Sequence, residues 1–276
     1  MAFVDVRGIR VCYEIRGSGP RLLFITGTGR DMRQQPSVFD LPVAGHFEVL
    51  TYDQRGLGQS AKPDLPYTMA DYGEDAAALL EAVGWDRCLV VGISFGGMVA
   101  QELACRHPQK VERLVLGCTS SGGAGGASYP LHEFESLPPL QAIQRHLEVS
   151  DTRRTADWKA AHPQAWQALV DDAVKKKSVG GDDPARAMGA HRQLQARIGH
   201  DTWNRLPGLT MPVLVCGGHH DGIAAPANLE AMHQRIPGSQ LAIFDGGHPF
   251  HAQDPQAWPQ MIAFLQGKQP SGATTA

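Results

Sequence analysis

The amino-acid sequence predicts an α/β protein with a mostly parallel β-sheet and helices on both of its faces. Short apolar runs alternate with helix-like segments along much of the chain, and parallel strands need crossover connections that helices usually supply. Residues 121–207 contain no strand-like run and interrupt this alternation. The 276 residues, of which 42% are hydrophobic, are enough to bury the core that such a sheet requires.

Eight short apolar runs, most of them bounded by turn residues, are predicted to be strands. They comprise residues 3–6, 11–15, 22–25, 49–52, 89–93, 114–117, 213–217 and 241–244. Arg7-Gly8 between the first two runs predicts a hairpin at an edge of the sheet. Helices are predicted at residues 69–83, 95–107, 226–235 and 255–265; Thr68 opens the first helix and Pro108 ends the second.

The glycine-rich segment 122–126 opens the interruption, because the residues that follow are rich in Gln, Ala, Arg, His and Trp and predict helices. We therefore expect one core in two parts, residues 1–120 and 208–267, with a helical cap at 121–207 and a loose tail at 268–276. A phosphate-binding loop is disfavoured, since no lysine and Ser/Thr follow the glycines in the required places.

Charge and cysteine content argue against several classes of function. The formal net charge of −3 gives no overall field for binding nucleic acid or an anionic membrane. No apolar run has the length of a membrane span and no secretion signal is recognised, so we expect a cytoplasmic protein without membrane contact. The 5 cysteines include no C-x-x-C pair and are expected to be free thiols. We expect a small-molecule substrate as partner, no cofactor and no metal; the oligomeric state stays open.

The stretch VVGISFGG at residues 90–97 places Ser94 directly after an apolar strand and before a helix. Such a serine must adopt a strained backbone conformation, and side chains at positions 92 and 96 would collide with the neighbouring strand and helix. The pattern G-x-S-x-G in this context is typical of a nucleophile elbow, which exposes the serine hydroxyl. The alternative is a chance match in which the glycines only permit close packing.

A serine nucleophile requires a base and a group that orients the base. Asp221 and His248 follow the last two predicted strands, at the sheet edge where Ser94 lies. The chain order Ser94, Asp221, His248 agrees with this arrangement, and we predict these three residues as catalytic. His251 in the same loop is the alternative base. Asp245 is the alternative acid, although its place next to the base in sequence hinders it from reaching the far ring nitrogen.

Over nearly its whole length, the chain resembles the α/β-hydrolase fold superfamily in these motifs. The segment DQRGLGQS at residues 53–60 is similar to the D-x-R-G-x-G-x-S segment of that family. The resemblance implies an eight-stranded sheet with a helical cap inserted after the sixth strand. Relatives commonly carry His-Gly after the third strand, whereas this chain has Thr26-Gly27-Thr28-Gly29. By position, the resemblance assigns the oxyanion hole to the backbone amides of Thr28 and Phe95.

Within the superfamily, residues 94–101 together with 53–60 look most like small carboxylesterases and enol-lactonases. The resemblance therefore implies hydrolysis of a small or medium carboxylic ester or lactone through an acyl-enzyme. Carbon–carbon bond hydrolysis of a dienoic diketone uses the same triad and is the nearest alternative, and a haloperoxidase side reaction through a peracid is another. Serine at position 94 disfavours the aspartate nucleophile of dehalogenases and epoxide hydrolases. A small-molecule receptor is the alternative from a different class, and the complete triad argues against it.

Substrate choice is expected to come from the cap. Its aromatic residues could line an apolar pocket, although packing within the cap itself is the more frequent role; they are Tyr129, Phe134, Trp158, Trp166 and Trp203. Its histidines could make polar contacts, although each is individually more typical of a surface; they are His132, His146, His162, His191 and His200.

Overall fold

A single eight-stranded sheet forms the centre of the computed structural model, which describes residues 1–268. Its strands, β1 to β8 in chain order, are Ala2–Val6, Ile9–Arg16, Arg21–Ile25, Glu48–Tyr52, Cys88–Ile93, Val111–Gly117, Val213–Gly218 and Gln240–Phe244. Their order across the sheet is β1-β2-β4-β3-β5-β6-β7-β8. Of the predicted tail at 268–276, residues 269–276 lie outside the described residues.

The sheet is parallel from β4 to β8 in spatial order and antiparallel at the β1–β2 edge. Arg7 (φ 48°) and Gly8 (φ 77°) form the two-residue turn between β1 and β2, as the positive φ values of such turns require. The predicted α/β fold class is confirmed. All predicted strands are present and differ from the predicted bounds only at their ends.

Nine α-helices accompany the sheet within residues 1–268. In chain order, α1 to α9 are Met69–Ala82, Phe95–Arg106, Pro139–Ser150, Ala156–Ala161, Pro163–Ser178, Arg186–Ile198, Pro226–Arg235, Phe250–Gln253 and Ala257–Leu265. The helix predicted at 255–265 is present as α9, which begins at Ala257, and the structure adds the short helix α8, which ends at Gln253. Asp254 separates the two helices, because its carboxylate accepts hydrogen bonds from the Gln256 and Asp245 amides.

Two hydrophobic clusters cover the two faces of the sheet. Leu23 and Val90 belong to the cluster that α1, α2 and α7 cover, whereas Leu22 and Leu89 belong to the cluster that residues 38–47, α8 and α9 cover. Every residue of β5 is buried, which explains why its apolar run is unbroken rather than alternating. The strand that leads into Ser94 is therefore packed on both faces.

Helices α3 to α6 lie between β6 and β7 in the chain, and we call residues 121–207 the insertion. A β-bridge between Gly122 and Asp201 joins its two ends, and the Thr202 amide donates to the Ser121 carbonyl at 2.8 Å. The two points at which the chain enters and leaves the insertion therefore lie side by side. The division of the chain into a core and a cap domain stays a prediction. Within residues 1–268, every helix is too short or too polar to cross a membrane.

A buried ion pair fixes the segment after β4 to α1. Arg55 Nε and Nη2 donate to the Asp75 carboxylate at 2.7 and 2.9 Å, and the two side chains are 6% and 2% exposed. Arg7, in the β1–β2 turn, donates to the same carboxylate at 2.7 Å. These charge-assisted hydrogen bonds replace the hydration that the buried charges have lost. The pair thereby fixes residues 53–60, which reach the candidate active site.

We expect Asp75→Ala to lower the free energy of unfolding by about 3–5 kcal/mol, because it leaves the Arg55 guanidinium buried without an adequate counter-charge. Urea denaturation measures the change. Asp172→Ala is the matched control, since it removes a surface pair with Lys176 within α5 and is expected to cost no more than about 0.5 kcal/mol. A loss at Asp75 as small as that of the control would contradict the role given to the buried pair.

Candidate active site

Ser94 occupies the turn between β5 and α2 with φ 58° and ψ −118°, a backbone conformation that residues other than glycine rarely adopt. A Cβ at Gly92 would lie 2.7 Å from Cβ of Ala100, and one at Gly96 would lie 2.6 Å from the Thr26 carbonyl oxygen. Because both distances are shorter than ordinary contacts, the turn requires glycine at both positions. The strain and the crowding predicted from G-x-S-x-G are both present.

The structure brings the three predicted catalytic residues into one hydrogen-bonded line. His248 Nε2 lies 2.8 Å from Ser94 Oγ, and His248 Nδ1 lies 2.7 Å from Asp221 Oδ2. When Nδ1 donates its proton to the carboxylate, Nε2 is left to accept the Ser94 hydroxyl proton. The Asp221 side chain is 0% exposed and that of His248 15% exposed, while Ser94 is half-buried. Only the serine and the imidazole are therefore open to a substrate.

Backbone contacts hold both the carboxylate and the loop that carries the imidazole. Asp221 Oδ1 accepts hydrogen bonds from the amides of Ile223 and Ala224 at 2.7 and 2.9 Å. The His248 amide donates to the Ser150 carbonyl at the end of α3, at 2.6 Å. Asp221 therefore keeps its orientation through amides of its own loop, and the insertion contacts the loop of His248.

Asp245 and His251, the alternative acid and the alternative base, do not join this hydrogen-bonded line. Asp245 has a side chain that is 78% exposed and pairs with Arg153 at 3.0 Å, away from the His248 ring. His251 packs against the rings of Phe250 and Trp258, and within residues 1–268 its Nδ1 has no hydrogen-bond partner. Neither residue makes a hydrogen bond to the Ser94–His248 pair in the described part of the chain.

Two backbone amides beside Ser94 are free to bind a ligand. Within residues 1–268, the amides of Thr28 and Phe95 donate to no protein group. A Cβ at Gly27 would lie 3.8 Å from Ser94 Oγ, so the loop that carries Thr28 passes next to the hydroxyl. The Phe95 amide opens α2 and lies at the positive end of its dipole. The arrangement can hold a negatively charged oxygen near Ser94.

Side chains of the segment 53–60 hold this loop, a role that sequence reasoning did not assign to them. Asp53 Oδ1 accepts the Met32 amide at 2.7 Å, and Gln54 Nε2 donates to the Thr26 carbonyl at 2.7 Å. The Asp53 carboxylate fills the space that a Cβ at Gly58 would need. Burial raises the pKa of Asp53 to about 6. The similarity of 53–60 to the family segment identified the motif, but only the packed loops show what it positions.

The insertion contacts the candidate site on two sides. Gln193 of α6 is fully buried, and its Oε1 accepts the Gly29 amide at 2.8 Å, next to Thr28. On the other side, the carbonyl of Val149 in α3 accepts the Gly222 amide at 3.0 Å, next to the triad carboxylate. Sequence reasoning missed Gln193, because a glutamine within a polar helix carries no motif that separates it from a surface residue.

The predicted cap aromatics have partners of their own. They form contact pairs: Tyr129 with Phe134, Trp158 with His162, Trp166 with Lys159, and Trp203 with Arg235. Trp203 also packs against the main hydrophobic core. These contacts favour the packing role that the sequence left open.

Among the predicted histidines, His146 is the one that the structure places toward the catalytic loops. It precedes Ser150 by one turn of α3 and therefore lies on the same helix face. His146 is exposed, and desolvation together with nearby positive charge lowers its pKa to about 4. His200 is buried against the Ser120 carbonyl, and burial lowers its pKa to about 4; His191 lies at the surface beside Glu135.

A cysteine adjoins the triad. Sγ of Cys118, a nitrogen of His248 and a carboxylate oxygen of Asp221 lie within 4.8 Å of one another, a grouping that could ligate a metal. Burial, and secondarily the negative charge of Asp221, raise the pKa of Cys118 well above its ordinary value. A metal ligand must be a thiolate, so a neutral Cys118 beside an already paired imidazole and carboxylate favours the triad over a metal centre.

Comparison with known proteins agrees with this fold. Residues 20–255 match the family model of the alpha/beta hydrolase fold. A proposed carbamate hydrolase, RutD, of Variovorax paradoxus is 40% identical over 220 residues, covering 76% of this chain and 78% of its own. A poly(3-hydroxyalkanoate) depolymerase of Ectopseudomonas oleovorans is 28% identical over 222 residues, 79% of this chain and 75% of its own.

A solved enol-lactonase structure from Burkholderia xenovorans LB400 superposes with a TM-score of 0.76 at 26% identity, covering 97% of this chain and 100% of that one. The chain belongs to the alpha/beta hydrolase fold family. The family and these relatives support the assignment of the chain as a hydrolase, as the motifs predicted. A hydrolase of this fold implies a small-molecule substrate.

We expect Gly96→Ala to lower kcat/KM for p-nitrophenyl butyrate by about 100-fold, since displacement of the loop after β3 by about 1 Å is enough for such a loss. The added methyl would meet the Ile25 and Thr26 carbonyls that carry this loop. Gly45→Ala is the matched control, because a Cβ there has no atom within 4 Å. Steady-state kinetics of folded wild-type and variant proteins measure the change, with thermal unfolding as a check on folding. An unchanged kcat/KM in Gly96→Ala would contradict the packing argument.

Proposed function

We propose that the protein is a serine hydrolase that cleaves a small or medium carboxylic ester or lactone through an acyl-enzyme. The observation that carries the proposal is the line of two hydrogen bonds, 2.7 and 2.8 Å, from Asp221 through His248 to Ser94. A serine hydroxyl is a weak nucleophile until a base accepts its proton. The geometry supports such activation, because one imidazole nitrogen faces the hydroxyl while the other faces a buried carboxylate.

In the acylation step, Ser94 Oγ attacks the acyl carbon while its proton moves to His248 Nε2. Asp221 stabilises the imidazolium that forms, and the amides of Thr28 and Phe95 donate to the oxygen that becomes negative. Each such donor is typically worth roughly 3 kcal/mol in the transition state. His248 then gives the proton to the leaving oxygen as the carbon–oxygen bond breaks. In a lactone, that oxygen stays attached to the acyl group and the ring opens.

Deacylation repeats these steps with water as the nucleophile. His248 accepts a proton from water, the resulting hydroxide oxygen attacks the acyl carbon, and the Thr28 and Phe95 amides again hold the oxyanion. The Ser94 oxygen leaves with the proton that His248 returns. The proposed steps require no metal and no organic cofactor.

The relatives support an acyl carbon bonded to oxygen as the reacting group. The enol-lactonase, at 26% identity, and the polyester depolymerase, at 28%, are named for substrates with this bond. Carbamate hydrolysis is a second candidate, favoured by the relative that is 40% identical. A carbamate carbonyl can be attacked by the same serine and held by the same two amides.

We expect Ser94→Ala to lower turnover of p-nitrophenyl butyrate on the order of a million-fold, because loss of a triad nucleophile costs that much in another serine hydrolase. Thermal unfolding should be unchanged or slightly raised, since the alanine removes no structural hydrogen bond other than the one to His248. Ser178→Ala, at an exposed serine of α5, is the control and should keep full activity. Turnover retained by folded Ser94→Ala would overturn the assignment.

A panel of p-nitrophenyl esters, lactones, phenyl carbamates and dienoic diketones separates the candidates with the same wild-type protein. Highest kcat/KM on an ester or lactone supports the proposal. Preference for the carbamate or for carbon–carbon cleavage would keep the triad and replace the substrate class. A receptor would turn over none of them, and its Ser94 would stay unlabelled by a fluorophosphonate.

A further inference from the structure

Arg197, in the last turn of α6, is a buried cation without an anionic partner. The residue is 8% exposed, and its Nη2 donates to Ser128 Oγ at 2.6 Å. Within residues 1–268 it forms no ion pair, and its Nε and Nη1 donate to no protein group. Burial lowers the pKa of Arg197 to about 10, with no carboxylate to offset it. Since buried arginines are normally paired, this guanidinium is prepared for an anion that comes from outside the chain.

Arg197 lies on the side of α6 that faces the candidate active site. Gln193 precedes it by four residues, so the two side chains share one helix face. Gln193 accepts the Gly29 amide at 2.8 Å, in the loop that carries the Thr28 amide. The backbone of Arg197 therefore lies about one helical turn, roughly 6 Å along the axis, beyond that of Gln193.

The hydroxyl that Arg197 contacts is tied to the other side of the site. Ser128 precedes Tyr129, whose amide donates to the Ile223 carbonyl at 2.8 Å. The Ile223 amide in turn donates to the triad carboxylate of Asp221 at 2.7 Å. The Arg197–Ser128 pair is thus connected through Gln193 to the loop that carries Thr28 and through Tyr129 and Ile223 to the loop of the triad acid.

Cationic side chains of the insertion lie around His146 of α3. Desolvation, and secondarily the charges of Lys177, Arg197 and Arg154, lower the pKa of His146 to about 4. No anionic side chain appears among the groups that act on Arg197 or among the strongest that act on His146.

We propose that Arg197 binds a carboxylate of the substrate, so that the preferred substrate is an ester or lactone that also carries a free carboxylate group. The inference rests on the proposed function and adds a specificity-determining residue to it. A guanidinium edge offers two parallel N–H donors that match a carboxylate. Ser128, whose oxygen accepts from Nη2, can donate its own hydrogen to the same anion.

Two esters test the proposal, mono-p-nitrophenyl adipate, which ends in a carboxylate, and p-nitrophenyl heptanoate, in which a methyl group takes the place of the carboxylate. We expect Arg197→Gln to lower kcat/KM for the adipate ester by about 10- to 100-fold, mainly through KM, because a charge-assisted pair is lost. The heptanoate ester should change by less than about threefold. Arg197→Lys should recover part of the loss, since it keeps the charge but not the paired donors.

Arg192→Gln is the matched control, because it removes the same charge from the same helix at a residue that pairs with Asp64 at 3.0 Å. It should affect both esters alike. An equal effect of Arg197→Gln on both esters would overturn the carboxylate site and leave a structural role. If that variant fails to fold, Ser128→Ala decides by the same criterion. Wild-type protein that hydrolyses neither ester would instead contradict the proposed function itself.

Discussion

The hydrogen bond between His248 and Ser94 is the interaction on which the functional interpretation depends, and three separate parts of the chain are needed to form it. Ser94 reaches its position only through a strained turn between a fully buried strand and a helix. His248 is oriented by a carboxylate that two backbone amides fix in turn. Parallel strands end at the same edge of a sheet, so the fold brings these loops together before any catalytic requirement acts.

Buried carboxylates and cationic side chains both lie around that line. Backbone amides satisfy the oxygens of Asp53 and Asp221, and these contacts hold the loop that follows Thr28 and the loop that carries Asp221. The insertion contributes cations, of which Arg197 lacks an anionic partner in the described part of the chain. An anionic substrate would meet attraction from the insertion and donors at the oxyanion loop.

Local patterns were enough to predict the strands, the edge hairpin and the candidate triad. The pattern G-x-S-x-G reflects the steric requirement of a single turn. Asp221 and His248 each follow a recognisable strand, so the adjacent sequence was enough to place each of them at the edge of the sheet. Gln193, Arg197 and the support that Asp53 gives to the oxyanion loop could not be predicted in this way. Their roles depend on how α6 and residues 53–60 pack against distant loops, and neither periodicity nor composition encodes that packing. The short helix α8 escaped prediction because four residues carry too little periodicity.

The central claim is that Ser94 is a nucleophile whose reaction centre is held by the Thr28 and Phe95 amides. A crystal structure of the protein after reaction with diethyl p-nitrophenyl phosphate tests both parts at once. We expect phosphorus bonded to Ser94 Oγ and the phosphoryl oxygen about 2.7–3.1 Å from both amide nitrogens. A folded protein with unmodified Ser94, or an adduct whose phosphoryl oxygen points away from both amides, would contradict it.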